Sequence, residues 1–112
     1  FDVCGIDRDE EGVEIARQRH PGARFHRIGV EDDPGSLLAH EAPFDAVVST
    51  EVIEHLYSPH LLPAFAAQVL VQGGHLVLTT PYHGYLKNLA IALTNKWDHH
   101  HTALWHGGHI KF

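Results

Sequence analysis

The chain has 112 residues, 44% of them hydrophobic and 20% charged, which suits one small globular domain and is too short for two. Its formal charge of −6 argues against a general electrostatic footprint for nucleic acid or an anionic membrane, although its twelve histidines would offset part of that charge below neutral pH. The single cysteine, Cys4, excludes an intrachain disulfide and a zinc cluster built from several cysteines, and it reads as an inert buried thiol. No apolar run reaches the length of a membrane span and no signal peptide is visible, so a cytoplasmic enzyme is the expectation. The chain lacks Met and both its ends are apolar, at Phe1–Ile6 and His109–Phe112, so it reads as a fragment truncated at both ends.

Residues 1–6 form a short apolar run bounded by charge, the pattern of a buried strand. Asp9 is placed to cap a following amphipathic helix carrying Val13, Ile15, Ala16 and Arg19, which His20-Pro21-Gly22 ends. Residues 23–28 predict a second strand, followed by an acidic loop over 31–35. A third strand covers 44–49, a helical turn 52–56 and a longer helix 63–71. Gly73-Gly74 then introduces a fourth strand over 75–80, stopped by Pro81. This alternation calls for a parallel α/β sheet of Rossmann-like type with right-handed crossovers. Residues 82–112 differ, being rich in Gly, His and aromatics, with one amphipathic stretch from Leu86 to Leu93.

In open α/β sheets ligands bind where strands end and loops begin. Asp7, closing Gly5-Ile6-Asp7, offers two carboxylate oxygens to the two hydroxyls of a ribose; the plain alternative is a helix cap or a solvated loop acid. Asp32, in the acidic loop, is a candidate acceptor for an adenine amino group. If residues 51 onward are helical, Glu51, Glu54 and His55 stand at i, i+3 and i+4 on one face. Two carboxylates and an imidazole there suit a divalent metal with open positions, against the plainer reading of a solvated helix start. His20, His26, His40 and His60 show no constellation, and 99–101 reads as a solvated turn.

These segments together resemble a known family. The stretch FDAVVSTEVIEHL over 44–56 resembles the fourth-strand motif of class I S-adenosylmethionine-dependent methyltransferases. The tip Gly5-Ile6-Asp7 resembles the acidic end of that family's second strand, and GGHLVLTTP over 73–81 resembles its fifth-strand motif. All three occur in the family's order and at its spacings, while the Gly-rich first motif is absent. The resemblance implies a partial methyltransferase domain over 1–112, with 1–81 as cofactor-binding core and 82–112 on the substrate side. It further implies that Asp7 takes the ribose hydroxyls of S-adenosylmethionine, Asp32 lies by the adenine, and Thr50 contacts the methionine part.

Within the family, Glu-x-x-Glu-His resembles the metal-using ubiquinone-biosynthesis O-methyltransferases and the small-RNA terminal 2′-O-methyltransferases. The HIKF context over 109–112 makes His109 a candidate fourth ligand beside Glu51, Glu54 and His55, for Mg²⁺, Mn²⁺ or Zn²⁺. The implied reaction is in-line attack of a small-molecule hydroxyl on the sulfonium methyl, assisted by the metal or, without one, by His55 or His109 as general base. Tyr82, His83 and Tyr85 either shape a substrate pocket or pack, with packing preferred for the tyrosines. Two other readings are a nicotinamide-dependent Rossmann oxidoreductase and a non-catalytic, methyltransferase-like binding domain.

Overall fold

The computed structural model describes residues 1–82 and 84–96. Among them the order is β1 (Cys4–Asp7), α1 (Glu10–Arg19), β2 (Arg24–Arg27), α2 (Pro34–Leu38), β3 (Phe44–Thr50), a 3-10 turn (Ile53–His55), α3 (Leu61–Val69), β4 (Leu70–Thr79) and α4 (Tyr85–Leu93). The expected alternation of strand and helix is present, and all strand pairing is parallel.

Local chemistry accounts for the first unit. The Asp9 side chain accepts from the Gly12 N–H at 2.8 Å and caps α1. Glu10 and Glu11 occupy the first turn of α1 and Arg17 and Arg19 its last, each sign favoured by the helix dipole at its own end. Val13 is buried, and Arg17 donates through Nη2 to the Phe25 carbonyl at 2.7 Å, tying α1 to β2. The acidic stretch read from sequence as a loop contains the short helix α2. Asp33 caps it by accepting from the Gly35 N–H at 3.0 Å, and Pro34 opens its first turn.

The second unit shifts two boundaries. α3 begins at Leu61 rather than 63, and its buried residues Leu62, Phe65, Ala66 and Val69 form one helical stripe. It ends at Val69, because Leu70 is already extended and pairs with Phe44. β4 therefore starts five residues earlier than the Gly73-Gly74 pair suggested. The extra length is absorbed by a register irregularity between Phe44 and Ala46, with Gly73 at φ +84°.

One continuous sheet was expected, and here the structure differs. β1 pairs with β2, and β3 pairs with β4, as two separate two-stranded parallel sheets. A cavity of about 340 Å³ is lined from both pairs, by Cys4, Gly5 and Ile6 on β1 and by Ala46, Val47 and Val48 on β3. The pairs are held together through side chains instead of ladder hydrogen bonds. Leu37, Phe65 and Val69 form the buried centre, with Ile6, Ile28, Val30, Phe44 and Val47 packed on it.

A charged network fastens the start of β2. Arg24 bridges Asp2 at 2.6 Å and buried Glu41 at 2.8 Å, and His26 Nε2 lies 2.6 Å from Glu41 Oε1. His26 also stacks on His40 at 5.9 Å between centroids, so these two histidines do belong to a constellation, contrary to the sequence expectation. Hydrogen bonds from Arg24 and then His26 hold the Glu41 carboxyl down to about 2, below its ordinary 4.5. The contribution is complete above pH 4.5 and disappears as pH falls toward 2. Glu41→Gln should therefore be less stable than wild type at pH 7, with the gap narrowing on acidification; urea unfolding at several pH values measures it.

Candidate functional site

The C-terminal ends of β1 and β2 open onto a cavity of about 330 Å³, within the size range of small-ligand pockets. Asp7, Arg8, Gly29 and Glu31 supply its polar and backbone rim, while Ile6, Val30, Val52 and Leu56 give it apolar wall. His55 and Tyr57 complete the side contributed by the segment after β3. An acid beside apolar surface is what a nucleoside requires, with hydroxyls on one side and a flat base on the other.

Asp7 is the exposed last residue of β1. Its Oδ1 accepts from the Asp9 N–H at 2.8 Å, which orients the carboxylate and leaves Oδ2 open. Asp32, expected by the adenine, is exposed and turned to its own loop backbone. Its Oδ2 accepts from the Gly29 N–H at 2.7 Å, and its own N–H donates to the Gly29 carbonyl at 3.1 Å. Asp32 thus shapes the loop, and Glu31 is the acid that reaches the cavity, paired at 3.4 Å with Arg8. A Cβ on Gly29 would fall 2.4 Å from Arg8 Cδ, so the loop backbone passes directly beneath that arginine.

Thr50 ends β3 opposite Thr79 and lines the cavity between the strand pairs, not the one beside Asp7. The two cavities adjoin, sharing Ile6, Val30 and Val52. Glu51 adopts φ 55°, a left-handed conformation that a non-glycine residue takes at a cost. The bend swings its backbone N–H onto the Thr79 carbonyl at 3.1 Å, and its Oε1 accepts from Thr79 Oγ1 at 3.1 Å. Glu51 therefore clasps the ends of β3 and β4.

The helical premise for Glu51, Glu54 and His55 fails at Glu51, because only Ile53–His55 forms a turn, and that turn is 3-10. Glu54 is 5% exposed, with Oε2 accepting from Thr80 Oγ1 at 3.3 Å and Oε1 without a partner. A buried carboxylate oxygen left open is a place a cation would satisfy, and the donor chemistry suits one. The ligating atoms of Glu51, Glu54 and His55 nevertheless do not gather within 4.8 Å of one another in this conformation. His109, the fourth expected ligand, lies outside the described residues, as do His83 and 99–101. Tyr82 and Tyr85 are 86% and 78% exposed, so the packing expected of them is not found. No helix among the described residues is long and apolar enough to cross a membrane.

The apolar lining from Val30, Val52, Leu56 and Tyr57 carried no signal in the sequence beyond its position after strands.

Comparison with known proteins identifies the family. The methyltransferase-domain family model matches residues 1–78. The ubiquinone biosynthesis O-methyltransferase of Maricaulis maris (strain MCS10) is 31% identical over 78 residues, 70% of this chain and 26% of that protein. The enzyme of the same name from Caulobacter sp. (strain K31) is 31% identical over 94 residues, 82% of this chain and 36% of that protein. The chain thus spans about a quarter to a third of the length of these relatives. No solved structure matches it significantly. With its parallel βαβ units and a match across residues 1–78, the chain belongs to the class I S-adenosylmethionine-dependent methyltransferases.

Proposed function

We propose that this chain is part of the cofactor-binding half of a methyltransferase that transfers a methyl group from S-adenosylmethionine to a hydroxyl oxygen of a small molecule. The observation that carries the reading is Asp7 on the rim of the strand-tip cavity, with one oxygen fixed by Asp9 and the other open. Asp7 would accept from the ribose hydroxyls, while Ile6, Val30, Val52 and Leu56 would take the apolar face of the adenosine. Glu31 replaces Asp32 as the acid able to meet the adenine amino group. Thr50, in the adjoining cavity, would face the methionine part. When bound, the cofactor supplies an electrophilic sulfonium methyl; the chain's residues orient it and exclude water from its apolar side. Hydroxyl as the acceptor rests on the names of the two relatives. Nothing in the comparisons favours the nicotinamide-dependent alternative.

A second element of the reading is a divalent cation held by Glu51, Glu54, His55 and His109, supported by the unpartnered Oε1 of buried Glu54. Such an ion supplies Lewis acidity toward a substrate hydroxyl. Without it, His55 on the cavity wall, or His109, would act as the base that takes the hydroxyl proton. The test is transfer of labelled methyl by the full-length protein to a panel of small hydroxyl acceptors, with and without chelator. The cation element predicts at least a tenfold rate loss in chelator, on the order expected of a Lewis acid, restored by added metal in wild type but not in Glu54→Ala. Full activity under chelation removes that element and leaves the methyltransferase reading standing. Absence of transfer to every acceptor, with the cofactor still bound, favours the non-catalytic binding domain.

A further inference from the structure

Cys4 on β1, His26 on β2 and Glu41 just beyond α2 bring a thiol sulfur, an imidazole nitrogen and a carboxylate oxygen within 4.8 Å of one another. The strand register sets Cys4 opposite Arg24 and Ile6 opposite His26, so Cys4 and His26 are diagonal neighbours on one face. Glu41 is buried, and Cys4 and His26 are half-buried. By strand alternation Asp7 faces the other way, so the cluster does not include the candidate ribose acid, although Cys4 also lines the cavity that Thr50 lines.

We propose that Cys4, His26 and Glu41 form a binding site for a thiophilic divalent cation of the zinc class. Sulfur, nitrogen and oxygen in one set suit a borderline-soft ion and do not suit the hard ions Mg²⁺ and Ca²⁺. Three protein ligands leave the fourth tetrahedral position to water. With ligand bonds of about 2.0–2.3 Å, neighbouring ligand atoms stand roughly 3–4 Å apart. The 2.6 Å contact between His26 and Glu41 then opens by less than about 1 Å on loading.

Arg24 does not block the site. Its Nε and Nη2 contact Glu41 at 2.8–2.9 Å, and a carboxylate has lone pairs enough to accept from Arg24 and still bind an ion. Arg24 then orients the carboxylate as an outer partner of the ligand set. Charge also favours loading. Asp2 and Glu41 against Arg24 leave one net negative charge, and a dication that displaces the Cys4 proton brings the cluster to neutrality. In that step the sulfur–hydrogen bond breaks and its proton passes to solvent as the sulfur–metal bond forms. Neutral His26 carries its ring proton on Nδ1, so that the Nε2 lone pair binds the ion in place of the hydrogen bond to Glu41.

Cobalt(II) titrated into the full-length protein provides the test. The site predicts a thiolate-to-cobalt charge-transfer band that is absent in Cys4→Ser and kept in Glu54→Gln, with zinc affinity about 100-fold weaker in Cys4→Ser. A second measurement needs no variant: zinc, but not magnesium, should slow iodoacetamide alkylation of the peptide bearing Cys4 about tenfold or more, as binding in excess over the dissociation constant requires. No such band in wild type, a band unchanged in Cys4→Ser, or alkylation indifferent to zinc would each overturn the proposal.

Discussion

Asp7→Ala in the full-length protein is expected to weaken S-adenosylmethionine binding by about 10- to 100-fold, corresponding to the roughly 1.5–3 kcal/mol of hydrogen bonds to a charged acceptor. The substitution also removes the Asp9 N–H acceptor, so part of the loss comes from a less ordered loop between β1 and α1. Asp7→Asn separates the two contributions. Its amide oxygen keeps the bond from Asp9 but offers the ribose an amide nitrogen where a second carboxylate oxygen stood. Titration calorimetry should place Asp7→Asn between wild type and Asp7→Ala, with unfolding midpoints of all three close together because Asp7 is exposed. Equal affinity in all three proteins would remove Asp7 from the cofactor site.

The largest stability effect is expected at Phe65. This side chain is 4% exposed and sits with Leu37 and Val69 at the centre through which the two strand pairs touch. Phe65→Ala should cost about 3–5 kcal/mol, a transfer loss plus the cavity left behind. Relaxation offers little relief, because Phe65 already lines the 340 Å³ cavity and the truncation enlarges that space. Urea unfolding of the full-length protein measures the loss as a lower midpoint with an unchanged slope. A cost below about 1 kcal/mol would mean that the strand pairs are held together by something other than this apolar centre.

The two substitutions separate what was legible in the sequence from what was not. The place of Asp7 at a strand tip was legible because its signal is local: an acid immediately after a short apolar run, in order with FDAVVSTEVIEHL and GGHLVLTTP. The α1 cap at Asp9 was equally local, since capping depends on a side chain and the N–H three residues away. α2 was hidden because Asp33-Pro34-Gly35 reads as a turn, although Asp and Pro in that order also begin helices. The bend at Glu51 was invisible, because nothing in the residue type announces a left-handed glutamate. That single dihedral dismantles the i, i+3, i+4 face on which the metal expectation first rested.

Longer-range features escaped for a different reason. Glu41, Arg24, His26 and Cys4 are separated by up to 37 positions and meet only through strand register and the return of the chain after α2. Asp32 turns to the Gly29 N–H while its neighbour Glu31 lines the cavity, a choice between neighbours that composition does not make. The separation of the sheet into two pairs likewise follows from which strand edges meet, and periodicity reports only which residues are apolar.

Ultraviolet photolabelling of the full-length protein with isotopically labelled S-adenosylmethionine, followed by peptide mapping, tests the central assignment most directly. Label should fall on peptides carrying residues 6–8, 29–31 or 52–57, and excess unlabelled cofactor should suppress it. Label confined to segments outside those that line the strand-tip cavity, with these peptides unmodified, would contradict the assignment of Asp7 and its neighbours to the cofactor site.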